Sequence, residues 1–79
     1  MPGKLLPLAF LPEGSRALIR EIRGGYGVSR RLAELGFTLN AEVKVVRSSS
    51  PGPILVEIKG SRIALGRGIA MKILVEEVK

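Results

Sequence analysis

Hydrophobic and polar positions alternate in short bursts along this chain, and glycine or proline separates each burst from the next. Glu42-Val43-Lys44-Val45-Val46-Arg47 places Val43 and Val45 on one face and Glu42 and Lys44 on the other, the period of a half-buried strand. Ile54-Leu55-Val56-Glu57-Ile58-Lys59 repeats the pattern with Ile54, Val56 and Ile58 inward. Arg16 to Arg23 reads as a strand with imperfect alternation, Leu18 and Ile22 on one face and Ala17 and Ile19 on the other. Arg62 to Leu65 predicts a short strand, Gly66 to Met71 a tight helical turn, and Lys72 to Val78 a closing strand. Pro12 to Ser15, Gly24-Gly25, Ser48 to Pro53 and Gly60-Ser61 supply the turns. The apolar opening, Lys4 to Leu11, is broken by Pro7 and bounded by Pro12 and Glu13. It is too short for a membrane span or a signal peptide core. It predicts a turn of helix that packs on the domain and leads into the first strand.

One segment changes period. Val28, Leu32 and Leu35 recur at helical spacing and form one apolar stripe, so a helix is predicted over Val28 to Leu35. Arg30, Arg31 and Glu34 fall on its other side, and Arg30 and Glu34 are four apart and able to pair. Ala33 is small enough for the helix to approach a sheet closely. Gly36 is placed as the left-handed residue that stops the helix, with Phe37 packing back on Leu32 in a Schellman motif. A helix this short does not stand alone, so it docks on the rest of the domain. Short strands at regular spacing with Gly/Pro turns indicate a mainly β fold. The expectation is one domain over residues 1–79: a small, partly open SH3-like β-barrel of about five strands, with one short helix after the first strand. Closing the barrel would hide strand edges that otherwise invite pairing. The expected core is Val28, Leu32, Leu35, Phe37, Val43, Val45, Val56, Ile58, Ile63, Ile73 and Val75.

Composition narrows the chemistry. The 79 residues allow one domain, and 46% hydrophobic content is ample for a folded one. The net charge of +6 favours anionic partners: nucleic acid, an acidic protein surface or anionic lipid. No His, Cys or Asp is present, and every acid is Glu. Ordinary zinc sites need His or Cys, ferrous sites usually combine imidazole with carboxylate, and His-dependent nucleophile systems are excluded. The chain is therefore read as a non-enzyme with no cofactor and no metal ligand set. The absence of Cys fits a reducing cytosol.

Few residues remain as candidates for contact. Arg30 and Arg31 lie on the only full helix, where the choice is between a solvated face and an anchor for an acidic protein surface. Tyr26 sits between glycines, either capping the barrel core or exposed as an anchor with a polar tip. Arg62 and Arg67 flank the last short strand and could extend a basic patch. Gly24-Gly25-Tyr26-Gly27 ahead of a helix invites a phosphate-loop reading, but the Lys and Ser/Thr such a loop needs after its last glycine are absent. Aromatics amount to 4% of the chain, too few for a Pro-rich-peptide groove and sparse for stacking on single-stranded nucleic acid.

Taken in order, Leu6-Pro7-Leu8, Pro12-Glu13-Gly14, Arg30-Arg31-Leu32-Ala33-Glu34-Leu35-Gly36-Phe37, Glu42-Val43-Lys44-Val45, Pro51-Gly52-Pro53-Ile54, Arg62-Ile63-Ala64-Leu65-Gly66-Arg67 and Ala70-Met71-Lys72-Ile73-Leu74-Val75 resemble the ferrous-iron transport protein A (FeoA) family over nearly the whole chain. No single piece is specific; their order and spacing are. The resemblance implies an SH3-like barrel. It also implies a cytoplasmic accessory or regulatory role in bacterial ferrous-iron uptake, by contact with the cytosolic GTPase part of a membrane permease. A similar barrel occurs in some iron-dependent repressors, so nucleic-acid binding is the second reading. Partner contact is assigned to Tyr26, Arg30, Arg31, Arg62 and Arg67, and the small core makes self-association a further expectation. At Gly68 the family commonly carries an acid; here the turn is basic.

Overall fold

The computed structural model describes residues 3–49 and 51–78. Strands β1 (Leu5–Pro7), β2 (Arg16–Ile22), β3 (Glu42–Ser48), β4 (Ile54–Ile58), β5 (Ser61–Leu65) and β6 (Ile73–Val78) form one sheet in the order β1-β6-β2-β3-β4-β5. Every neighbouring pair is antiparallel. Helix α1 (Gly25–Glu34) joins β2 to β3, and the short helix α2 (Arg67–Ala70) joins β5 to β6.

Among the described residues the strands number six, where about five were expected. The added one is β1, three residues that pair Leu5 with Glu76, Leu6 with Val75 and Pro7 with Leu74. So short a segment, ending in proline, shows no alternation of its own; it is a strand because β6 offers it an edge. Consequently α1 follows the second strand and not the first. The helical turn expected at the opening is reduced to a single 3-10 turn, Leu8–Phe10, with Leu8 fully buried.

The imperfect pattern of β2 has a mechanical cause. Its pairing with β6 shifts between Ile19 and Glu21, which leaves Arg20 as an extra residue. Ala17 and Ile19 are buried before this bulge, and Ile22 packs against the core after it. A bulge shifts the side-chain alternation by one, so positions three apart share the inner face. β3 carries a second bulge at Val46, between Val45 and Arg47.

The inner face forms one apolar cluster with members from β2, β3, β4, β5, β6, both helices, the 3-10 turn and the connecting segments. Phe37, Val43, Val45, Ile54, Val56, Ile73 and Val75 are fully buried. The edges β1 and β5 do not pair with one another. The seam is bridged instead by the 3-10 turn after β1, which packs against α2 after β5. Arg67 pins that contact: its guanidinium donates to the Ala9 carbonyl at 3.4 Å, to Ser48 Oγ at 3.1 Å and to the Ser49 carbonyl at 3.0 Å.

α1 begins three residues before the expected start, because Gly24 and Gly25, at φ +107° and +85°, turn the chain into it. Its end matches expectation. Gly36 N–H donates to Ala33 O at 3.0 Å and Phe37 N–H to Leu32 O at 2.9 Å, the two bonds of a Schellman motif. Gly36 takes φ +103°, and Phe37 and Leu32 join the same core. Two expectations for α1 need correction. Leu35 is 47% exposed: it lies on the apolar stripe, but the stripe runs past the surface that covers Val28 and Leu32. Ala33 is exposed as well and borders an open groove instead of a sheet contact.

Candidate docking surface

α1 rides on the sheet with an open groove along each flank. One groove, of about 460 Å³, is lined by Arg20, Glu21, Ile22, Ser29, Ala33, Phe37, Thr38 and Leu39. The other, of about 540 Å³, runs between α1 and the β5–α2 segment and is lined by Gly24, Gly27, Val28, Arg31, Leu32, Leu35, Ala64, Leu65, Gly66 and Ile69. Residues 24, 27, 28, 31, 32 and 35 recur at helical spacing, so one entire face of α1 forms a wall of this second groove. Its surface is chiefly apolar, and Arg31 is its one charged member.

The five residues assigned to partner contact occupy different situations. Tyr26 is 80% exposed; it lies within the first turn of α1, away from the core, and so does not cap the barrel core. Arg30 faces solvent and pairs with Glu34 at 3.9 Å. That pair is long and largely exposed, a geometry that contributes little to stability and leaves both side chains able to meet a partner. Arg31 is exposed and, among the described residues, makes no ion pair. Arg62, on β5, sits 3.7 Å from Glu57 across the β4–β5 ladder. Arg67 is half-buried, its guanidinium occupied by the three oxygens at the seam. The structure therefore brings Arg31 to the β5–α2 segment and commits Arg67 to holding the fold.

The far wall of the second groove, Ala64, Leu65, Gly66 and Ile69, was absent from the sequence-based candidates. No local signal marks it, because apolar residues in a short strand read as core whichever way the sheet curls. Exposed apolar side chains at Phe10, Leu39 and Met71 add further contact area around the molecule.

Other polar clusters serve the fold. Glu76 accepts from Gly3 N–H at 3.0 Å and from Arg20 Nε at 2.9 Å. These donors, the backbone N–H first, hold its carboxyl below the usual glutamate range. Arg20 also donates to the Asn40 side chain, and Asn40 takes a left-handed backbone conformation, φ +70°, which asparagine tolerates. Among the described residues no group of three or more acids converges as a metal site, and no helix is long and apolar enough to cross a membrane.

The chain is similar to known proteins over almost its whole length. The family model described as the FeoA domain matches residues 6–77. A protein of Methanocaldococcus jannaschii, provisionally named Fe(2+) transport protein A, is 41% identical over 75 residues, which are 95% of this chain and 90% of the relative. A crystal structure of an iron uptake regulatory protein, FeoA, superposes with a TM-score of 0.89 at 29% identity, covering 95% of this chain and 100% of that one. The zinc complex of FeoA from Stenotrophomonas maltophilia, described as an SH3 domain protein, superposes with a TM-score of 0.77 at 30% identity over 87% of each chain. The six-stranded sheet is thus an SH3-like fold.

Proposed function

The chain belongs to the FeoA family, and we propose that it serves ferrous-iron uptake as a cytoplasmic accessory protein that docks on the cytosolic, GTPase-bearing part of an iron permease. The observation that carries the docking mode is the α1 flank: an apolar groove open to solvent, with Arg31, which has no ion pair among the described residues, on its wall and the exposed Tyr26 nearby on the same helix. Aromatic and arginine side chains beside an apolar recess are the usual energetic centres of protein interfaces. The sequence offers no His, Cys or Asp, so a role through contact fits this chain better than one through holding the metal or catalysing a reaction. The zinc bound by the Stenotrophomonas relative is a property of that protein.

Ferrous-iron uptake by cells lacking this chain tests the reading. Uptake is expected to fall and to recover with a plasmid-borne copy; unimpaired uptake at limiting ferrous iron overturns it. The net charge of +6 favours nucleic acid as the second reading. A gel-shift series over salt separates the two: the docking reading predicts no complex, whereas a complex that weakens steeply with salt replaces it.

A further inference from the structure

We infer that the partner is held by strand addition: an extended segment carrying a carboxylate pairs with the free edge of β5 and lays an apolar side chain in the groove against α1. This rests on the proposed docking function and specifies its geometry. The edge is identified by the hairpin. β4 and β5 are joined by Lys59-Gly60, with φ +49° and +81°, and Ile58 stands opposite Ser61. A two-residue turn with both φ positive is a type I′ turn, so Ile58 and Ser61 are a hydrogen-bonded pair. Bonded and non-bonded pairs alternate along an antiparallel ladder. Val56–Ile63 and Ile54–Leu65 are therefore bonded, while Glu57–Arg62 and Leu55–Ala64 are not. It follows that Arg62 and Ala64 turn their N–H and C=O groups away from β4, and no strand among the described residues lies on that side. Among the described residues, no loop or helix bonds them either.

The groove lies along that same edge. It touches both the outward Ala64 and the inward Leu65 but no residue of β4, which puts it beside the strand on its unpaired side. The opposite edge of the sheet is protected: β1 has three residues and ends in Pro7, the ordinary means of blunting an edge. β5 has five residues, no proline and no register shift. The side chains that await the incoming strand fix its chemistry. Arg31, without an ion-pair partner among the described residues, shares the groove with Val28 and Leu35 on its own wall and Leu65 and Ile69 on the other. An apolar residue flanked by Glu or Asp matches that arrangement, and main-chain pairing supplies the rest. A second copy of this chain, at net +6, is the poorer occupant on charge.

The test uses the full chain and the isolated cytosolic domain of the permease, with Arg31→Glu and Ala64→Pro as variants. Pro at 64 removes an outward N–H that the β4 ladder does not use. Each variant is expected to weaken binding about tenfold or more with its circular dichroism spectrum unchanged. Amide exchange supplies a readout independent of mutation: on binding, the amides of Arg62 and Ala64 become protected, while those of Ile63 and Leu65 are protected already in the free protein. Binding that leaves the Arg62 and Ala64 amides exchanging freely and tolerates Arg31→Glu overturns strand addition while leaving the docking function intact. Absence of any binding by wild type removes the docking function itself.

Discussion

Phe37 has the largest of the fully buried side chains, and it follows directly on the glycine that ends α1. Its removal leaves a cavity where helix and sheet meet. Phe37→Ala is expected to cost about 3–5 kcal/mol, a large share of the margin of so small a domain; urea unfolding measures it, and a loss well under 1 kcal/mol would deny Phe37 this role. Glu76 yields a prediction in pH. Its carboxyl is held below its ordinary value by Gly3 N–H and Arg20, so its folded pKa is lower than its unfolded one. The resulting stability is present above the unfolded value, about pH 4.5, and is lost as pH falls through the folded value. Wild type should therefore lose urea resistance on acidification through that window, and Glu76→Gln should lack that part of the slope. Identical pH profiles for the two proteins would contradict the linkage.

Among the elements, α1 depends most on its C-terminal stop. At φ +103°, Gly36 occupies a conformation that L side chains rarely adopt, yet a Cβ there would meet nothing closer than Lys59 Cδ at 3.4 Å. Any cost of substitution is therefore conformational and not steric. Gly36→Ala is expected to lose about 1–2 kcal/mol and Gly36→Asn less, read as melting temperatures; equal losses for the two would point to packing instead. This stop was legible in the sequence because a Gly followed by an apolar residue is a local signal. The start was not, since Gly25, Tyr26 and Gly27 are weak helix formers and Gly24 offers no capping side chain. β3 and β4 were legible because one face of each is buried and the other is wet. The alternation of β2 was blurred by its Arg20 bulge, and β1 exists only through pairing with β6, more than sixty residues away in the chain. The candidate site was legible in the same uneven way. Arg30, Arg31 and Tyr26 could be named from α1, but the β5 wall of the groove and the engagement of Arg67 at the seam arise from contacts between distant segments.

At the scale of the whole molecule, the sheet is open between β1 and β5, and the opening is treated differently on its two sides. The 3-10 turn, α2 and Arg67 seal one part of the seam, whereas the β5 edge beside α1 stays exposed. An SH3-like sheet of net charge +6 with one open edge suits the acidic partner segment proposed above. Its exposed cations make the association sensitive to salt. If the chain acts by touching a partner protein, as proposed, a calorimetric titration of the chain into the permease's cytosolic domain at low salt detects the contact. Saturable one-to-one binding that weakens as salt is raised is the expected result. No heat of binding with both proteins at tens of micromolar would contradict it.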